Sequence, residues 1–276
     1  MDIYLQPHSD DVCFSLGALA SRRPRGTALT ICPTTAYVPL RPGTPAPSAE
    51  RVTAIRMAED REFCQACGFE ARFLDLPVSS LLGHDPFDLS RVEENAARIG
   101  APLIEALFAF AEQGQRETRP WLYCPGGIGD HVDHVATLAV VMSHYRRLSA
   151  RYRIAFYEDL PYAANRKARK RGIERLLDAA KGFFLRRQAL PLGPNDRERK
   201  LALIHLYPSQ FLDAPVDLAA FTPALGADSA PHEALWSEER HPGLVPAFEA
   251  RSVFVQMTRA LPPVLRRLIR HGFKSQ

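Results

Sequence analysis

Two short apolar runs, Ile3 to Leu5 at the start of the chain and Trp121 to Cys124 near its middle, each end in a loop that bunches histidine with aspartate. The first loop reads Pro7-His8-Ser9-Asp10-Asp11, and the second Gly126-Gly127-Ile128-Gly129-Asp130-His131-Val132-Asp133-His134. Apolar runs this short, rich in β-formers and bounded by turn residues, are buried strands. In open α/β sheets ligands collect beyond the C-terminal ends of the strands, which is where both loops fall. His8 and Asp11 offer the nitrogen and carboxylate donors of a catalytic Zn²⁺ site, with Asp10 between them as a base. Taken alone, the pentapeptide also reads as a solvated turn in which Ser9 or Asp11 caps the helix that follows.

The second loop weighs against the turn. After it, Val135, Leu138, Met142 and Tyr145 recur at helical spacing, and this stripe projects backwards through His131 and His134. Both histidines therefore face inward at a helix N-terminus. A lone inward histidine is ordinarily a hydrogen-bonded core residue; two, with Asp133 between them and glycines before them, point to a site. A catalytic zinc takes three protein ligands and a water, and His8, Asp11 and one of these histidines make that number.

In order, spacing and strand context the two loops resemble the paired signatures of the zinc-dependent de-N-acetylases of the PIG-L/LmbE type over roughly the first 160 residues. The resemblance implies Zn²⁺ held by His8, Asp11 and His134, with Asp10 as general base. It also implies that His131, partnered by Asp133, stabilises the tetrahedral intermediate. If the Asp133 carboxylate accepts a hydrogen bond from the His131 ring, that ring is a cation. Ser9 stands where the family usually has proline, and Val12 where it often has glutamate.

At 276 residues, 46% hydrophobic and 24% charged, the chain suits one α/β domain over 1–276. No run approaches the ~18 apolar residues of a membrane span, and the N-terminus enters the first strand without a leader pattern. The five cysteines are scattered through apolar contexts, which fits reduced thiols and a cytoplasmic location. Cys64 and Cys67 have the spacing of a redox or zinc pair but lie within a helical pattern with no second pair.

In chain order, a helix from Val12 to Arg22 leads to a second strand, Ala28 to Cys32, and then to a proline-rich connection that is a candidate lid. Ser48 caps a helix running to Cys67 with Gly68 as its stop. Arg56 and Glu59 on that helix resemble the family's Arg-x-x-Glu pair, whose arginine reaches substrate; a structural ion pair is the plainer reading. Arg72 to Leu76 is a third strand. A helical stretch from Asp88 to Gly114 should break at Gly100-Ala101-Pro102, since proline suits a first helical position. Ile154 to Tyr157 is the fifth strand. Right-handed crossovers then give a Rossmann-like three-layer sandwich with a mostly parallel sheet, strand order 3-2-1-4-5, whose strands 1 and 4 meet at the switch point. A dinucleotide site is excluded, because no Gly-x-Gly-x-x-Gly follows the first strand.

Beyond the fifth strand, Tyr157-Glu158-Asp159-Leu160-Pro161-Tyr162 resembles a stretch of family members linked to glycan synthesis, which implies Glu158 and Asp159 as substrate binders. Lys200 with Tyr207-Pro208-Ser209-Gln210 resembles another family motif and adds Tyr207. From Arg166 to Arg187 nine lysines and arginines face two acids, and the tail from Val264 to Lys274 adds four more bases. Read as a basic amphipathic helix, this segment would meet an anionic membrane or a phosphate-bearing substrate; a solvated helix packed on its own domain is the alternative. The expected function is removal of acetyl from an N-acetylated amino sugar, a small-molecule substrate with no nucleic acid involved. An amidase acting on a thiol or antibiotic conjugate, and a non-catalytic sugar- or metal-binding homologue, are the competing readings.

Overall fold

The computed structural model describes residues 1–113, 119–212, 215–226 and 229–247. In chain order these form β1 (Asp2–Gln6), α1 (Asp11–Arg22), β2 (Gly26–Thr30), α2 (Ala49–Cys67), β3 (Glu70–Phe73), α3 (Val92–Gln113), β4 (Trp121–Pro125), α4 (Val132–Ser143) and α5 (Tyr145–Ser149). There follow β5 (Arg153–Tyr157), α6 (Arg166–Ala179), β6 (Arg186–Pro191), α7 (Pro194–Ile204), β7 (His232–Ser237) and β8 (Val245–Pro246).

The sheet runs β3-β2-β1-β4-β5-β7-β6-β8. Its first five strands are parallel in the expected order, and Ile3 pairs with Leu122 and Tyr4 with Tyr123. β2 and β4 are buried along their whole length, as strands covered by helices on both faces must be. Helices α1, α2 and α7 pack together as one layer and α3, α4, α5 and α6 as another.

Three antiparallel strands that local pattern did not reveal extend the sheet beyond β5. The segment 166–187 is correspondingly not one basic helix. Its helix stops at Ala179, Gly182 turns the chain at φ 101°, and Arg186 and Arg187 belong to β6. β6 and β7 carry Arg187, Gln188, His232 and Glu233 as buried polar side chains, so apolar alternation is lost.

Nor does Pro102 break its helix. α3 runs unbroken from Val92 to Gln113, with Asn95, Ile99, Leu103 and Leu107 buried on one face. Packing of this stripe on α4 offsets the roughly 3 kcal/mol of an interior proline. The caps of α2 are as expected: Ser48 Oγ accepts from Arg51 N at 3.2 Å, and Gly68 is left-handed at φ 69°.

Candidate active site

The loop after β1 is held from beneath by Gln6. Its amide donates to Thr30 Oγ1 and Asp60 Oδ1, both at 2.9 Å, and its oxygen accepts from Val12 N at 3.2 Å. This ties the strand end to α2 and to the first turn of α1. The capping reading of the loop fails. Asp10 occupies the N-cap position with no side-chain cap bond, and Asp11 Oδ2 turns back to accept from His8 N at 2.8 Å. Asp10 itself stands at φ 129°, a strained conformation for a side chain with a Cβ and one that clusters at functional sites.

Because β1 and β4 are neighbours, the second loop meets the first. His134 Nε2 lies 3.3 Å from His8 Nδ1 and 3.4 Å from Asp11 Oδ1, and His8 Nδ1 lies 3.6 Å from Asp11 Oδ2. Donors bound at about 2.1 Å to a tetrahedral ion are separated by about 3.4 Å, which the two imidazole nitrogens match, with one oxygen of the Asp11 carboxylate near each. The remote nitrogens of both rings are taken by buried carboxylates. His8 Nε2 faces Asp133 Oδ2 at 3.1 Å, and His134 Nδ1 faces Asp159 Oδ1 at 2.8 Å. Such outer carboxylates set the tautomer that aims a histidine at a metal. Burial opposes charge on His134, but Asp11 and Asp159 outweigh it and hold the imidazole up to about 9. Asp133 accepts further hydrogen bonds from Ser79 N and Oγ. Burial would raise its pKa, yet the His8 contact holds it below the usual carboxylate range.

A second donor set, His8, His131 and His134, also falls within ligating reach. In that set His131 Nδ1 is already engaged in capping α4, where it accepts from Asp133 N at 3.3 Å. The expected pairing of the His131 ring with the Asp133 carboxylate is replaced by Asp133 with His8. Burial, then the neighbouring His8 and His134, pull the His131 pKa down to about 2. His131 is therefore a neutral ring with its proton on Nε2, and not the cation expected. The glycines before it allow a close approach: Gly129 sits at φ 101°, and a Cβ there would lie 2.2 Å from Tyr162 Cγ.

Asp10 is buried, which pushes its pKa well up; the Arg56 guanidinium, 2.7 Å from Oδ2, pulls the other way. Arg56 also donates to Ser9 O, and Glu59 accepts from Ser209 N and Oγ at 2.8 and 2.6 Å. Gln210, from the same short 3-10 turn as Ser209, lies between Asp10 Oδ2 and Arg56 Nε, and with its amide turned it donates to the first and accepts from the second, both at 3.3 Å.

Of the four expected substrate binders, only Arg56 lines the cleft. Glu158 is buried among Arg169, Arg187 and the Trp236 indole. Asp159 serves His134, and Tyr207 donates to Asp60 at 2.8 Å. Lys200 is buried against Glu233, which also caps the backbone of Ala18 and Leu19 where α1 kinks at Leu16. Glu158 and Lys200 are inward supports because β6 and β7 bring Arg187, Trp236 and Glu233 into the core, whereas Asp159 and Tyr207 are held by His134 of α4 and Asp60 of α2.

The basic segment is largely spent in the same way, since Arg171 and Arg175 pair with Asp130. The basic tail lies outside the described residues. The Cys64 and Cys67 thiols are buried, which pushes Cys64 up and Cys67 to about 12, so neither is a ready ligand or nucleophile. Among the described residues, no helix is long and apolar enough to cross a membrane.

The cleft over Asp10 holds about 460 Å³ and is lined by His8, Asp11, Arg56 and His131 with a set of aromatic walls that the sequence did not announce. Phe14, Phe211 and Phe221 come from α1 and from two late connections, and only folding unites them.

The chain resembles known proteins in sequence and in fold. Over 185 residues, 66% of this chain, the sequence is 29% identical to 2'-N-acetylparomamine deacetylase of Streptomyces fradiae, and the match spans 63% of that relative's length. The fold is shared with the A40926 pseudoaglycone deacetylase (TM-score 0.58, 19% identity, 90% of this chain and 98% of that one). It is shared too with the zinc-inhibited form of teicoplanin deacetylase (TM-score 0.56, 14% identity, 90% and 99%). The family model described as PIG-L, GlcNAc-PI de-N-acetylase, matches residues 3–145, just over half of the chain and the part that carries both histidine–aspartate loops, so the chain belongs to the PIG-L family.

Proposed function

We propose that the protein is a metal-dependent amidohydrolase that removes the acetyl group from an N-acetylated amino sugar. The observation that carries this reading is the convergence of His8 Nδ1, Asp11 Oδ1 and His134 Nε2 beside a buried, strained Asp10. Zn²⁺ is the cofactor that best suits two imidazoles and a carboxylate, and it would supply Lewis-acid polarisation of the amide carbonyl and a more acidic water.

The protein's own groups account for the remaining steps. Asp10 takes the proton of the attacking water and later delivers it to the leaving nitrogen, for which a raised carboxyl pKa is suited. Arg56 and Gln210 hold its Oδ2 in place. His131, neutral and protonated at Nε2, donates to the oxygen that gains charge in the transition state. The aromatic walls limit the access of bulk water.

The test is acetate and free-amine release from N-acetylglucosamine glycosides and N-acetylated paromamine by protein loaded with one equivalent of zinc. Release should cease on chelation and return with metal. Loaded protein that binds these compounds without releasing acetate would make it a sugar-binding homologue instead.

A further inference from the structure

Outside the reacting groups, the cleft is walled mainly by carbon. Phe14 packs on Phe221 and Phe211 at centroid distances of 4.9 and 5.7 Å, and Leu160 and Pro161 continue this wall. The mouth is apolar as well. Tyr37 is 63% and Phe87 52% exposed, and both line the cleft. Two exposed aromatic rings beside a polar floor mark a place where a ligand covers them.

Charge points the same way. Among the described residues, Arg56 is the one lysine or arginine lining the cleft, and its guanidinium is engaged by Asp10 and Ser9 O. Arg171 and Arg175 are held by Asp130. A phosphate entering the cleft would meet aromatic rings and the carboxylates of Asp10 and Asp11, where a phosphate site calls for guanidinium forks or backbone N–H groups.

Building on the deacetylase reading, we propose that the substrate is an uncharged N-acyl amino sugar bearing an apolar aglycone, alkyl or aryl, which lies against Tyr37 and Phe87 while the amide reaches Asp10. A phosphate-bearing substrate such as a nucleotide-linked sugar, one of the partners that the basic composition of 166–187 suggests, does not suit this cleft.

The test uses the zinc-loaded protein with methyl, hexyl and phenyl glycosides of N-acetylglucosamine and with UDP-N-acetylglucosamine, read by calorimetric binding and by acetate release. The hexyl or phenyl compound should bind about tenfold or more tighter than the methyl one, the effect of covering a few CH₂ groups. A gain with hexyl alone identifies an alkyl aglycone, and a gain with phenyl alone an aryl one. Replacing Tyr37→Ser together with Phe87→Ser, both surface changes that leave the core intact, should bring that ratio towards one. Equal binding of all three glycosides, tightest binding of the nucleotide sugar, or an unchanged ratio in the double variant would each overturn the proposal. Selective binding without acetate release would instead overturn the deacetylase reading and leave the apolar site standing.

Discussion

Nδ1 of His134 lies 2.8 Å from Oδ1 of Asp159, while Nε2 of the same ring points to Asp11 at 3.4 Å. Asp159 is held in turn by Ile128 N at 2.8 Å, so the loops after β4 and β5 fix one imidazole between them. Asp159→Ala should therefore weaken zinc binding by about 10- to 100-fold, the usual cost of losing such an outer partner. Competition with a chromophoric chelator measures it; wild-type affinity in the variant would mean that the carboxylate does not orient the ring.

The two donor sets make opposite predictions for His131. His8→Ala and Asp11→Ala should each remove the metal, whereas His131→Ala should keep it. Metal content of the purified variants decides: zinc lost from His131→Ala and kept in Asp11→Ala would establish the three-histidine set.

Asp10→Asn should retain zinc and lower kcat by about 10²- to 10⁴-fold, as expected for a positioned general base. In the His131→Ala variant kcat should fall more than KM changes, because its contact strengthens only in the transition state. Loss of zinc from Asp10→Asn would make Asp10 a ligand.

Glu158 predicts the acid response of the fold. Burial would raise its pKa, but Arg187 and Arg169 outweigh this and hold it down at about 2. An unfolded glutamate titrates near ~4.3, so the folded value is the lower one and the carboxylate's contribution, of order 3 kcal/mol, is complete above that pH and lost as pH falls towards 2. Glu158→Gln should destabilise the protein by about 3–5 kcal/mol near neutrality, since two buried guanidinium groups lose their counter-charge. Urea midpoints for the two proteins should converge as pH falls from 5 to 2; a constant gap would refute the linkage.

The parallel half of the sheet was legible because buried parallel strands read as unbroken apolar runs and the helices between them carry their own caps. β6 and β7 were not, because Arg187, Gln188, His232 and Glu233 satisfy one another inside the core and erase the alternation that marks a strand. Pro102 misled for a related reason, since local propensity is weaker than the packing of α3 on α4.

Sequence by itself determined that the two histidine–aspartate loops meet: two strand ends, each followed by histidine and aspartate, can only come together if β1 and β4 are adjacent, and crossover handedness makes them so. Only tertiary structure decided what each carboxylate does. Asp133 contacts His8 and not His131, Asp159 contacts His134 and does not line the cleft, and Glu158 neutralises two buried arginines. A carboxylate's role follows from which cation or N–H donor lies within about 3 Å of it, and those partners come from elements remote in sequence, whose positions no local pattern encodes.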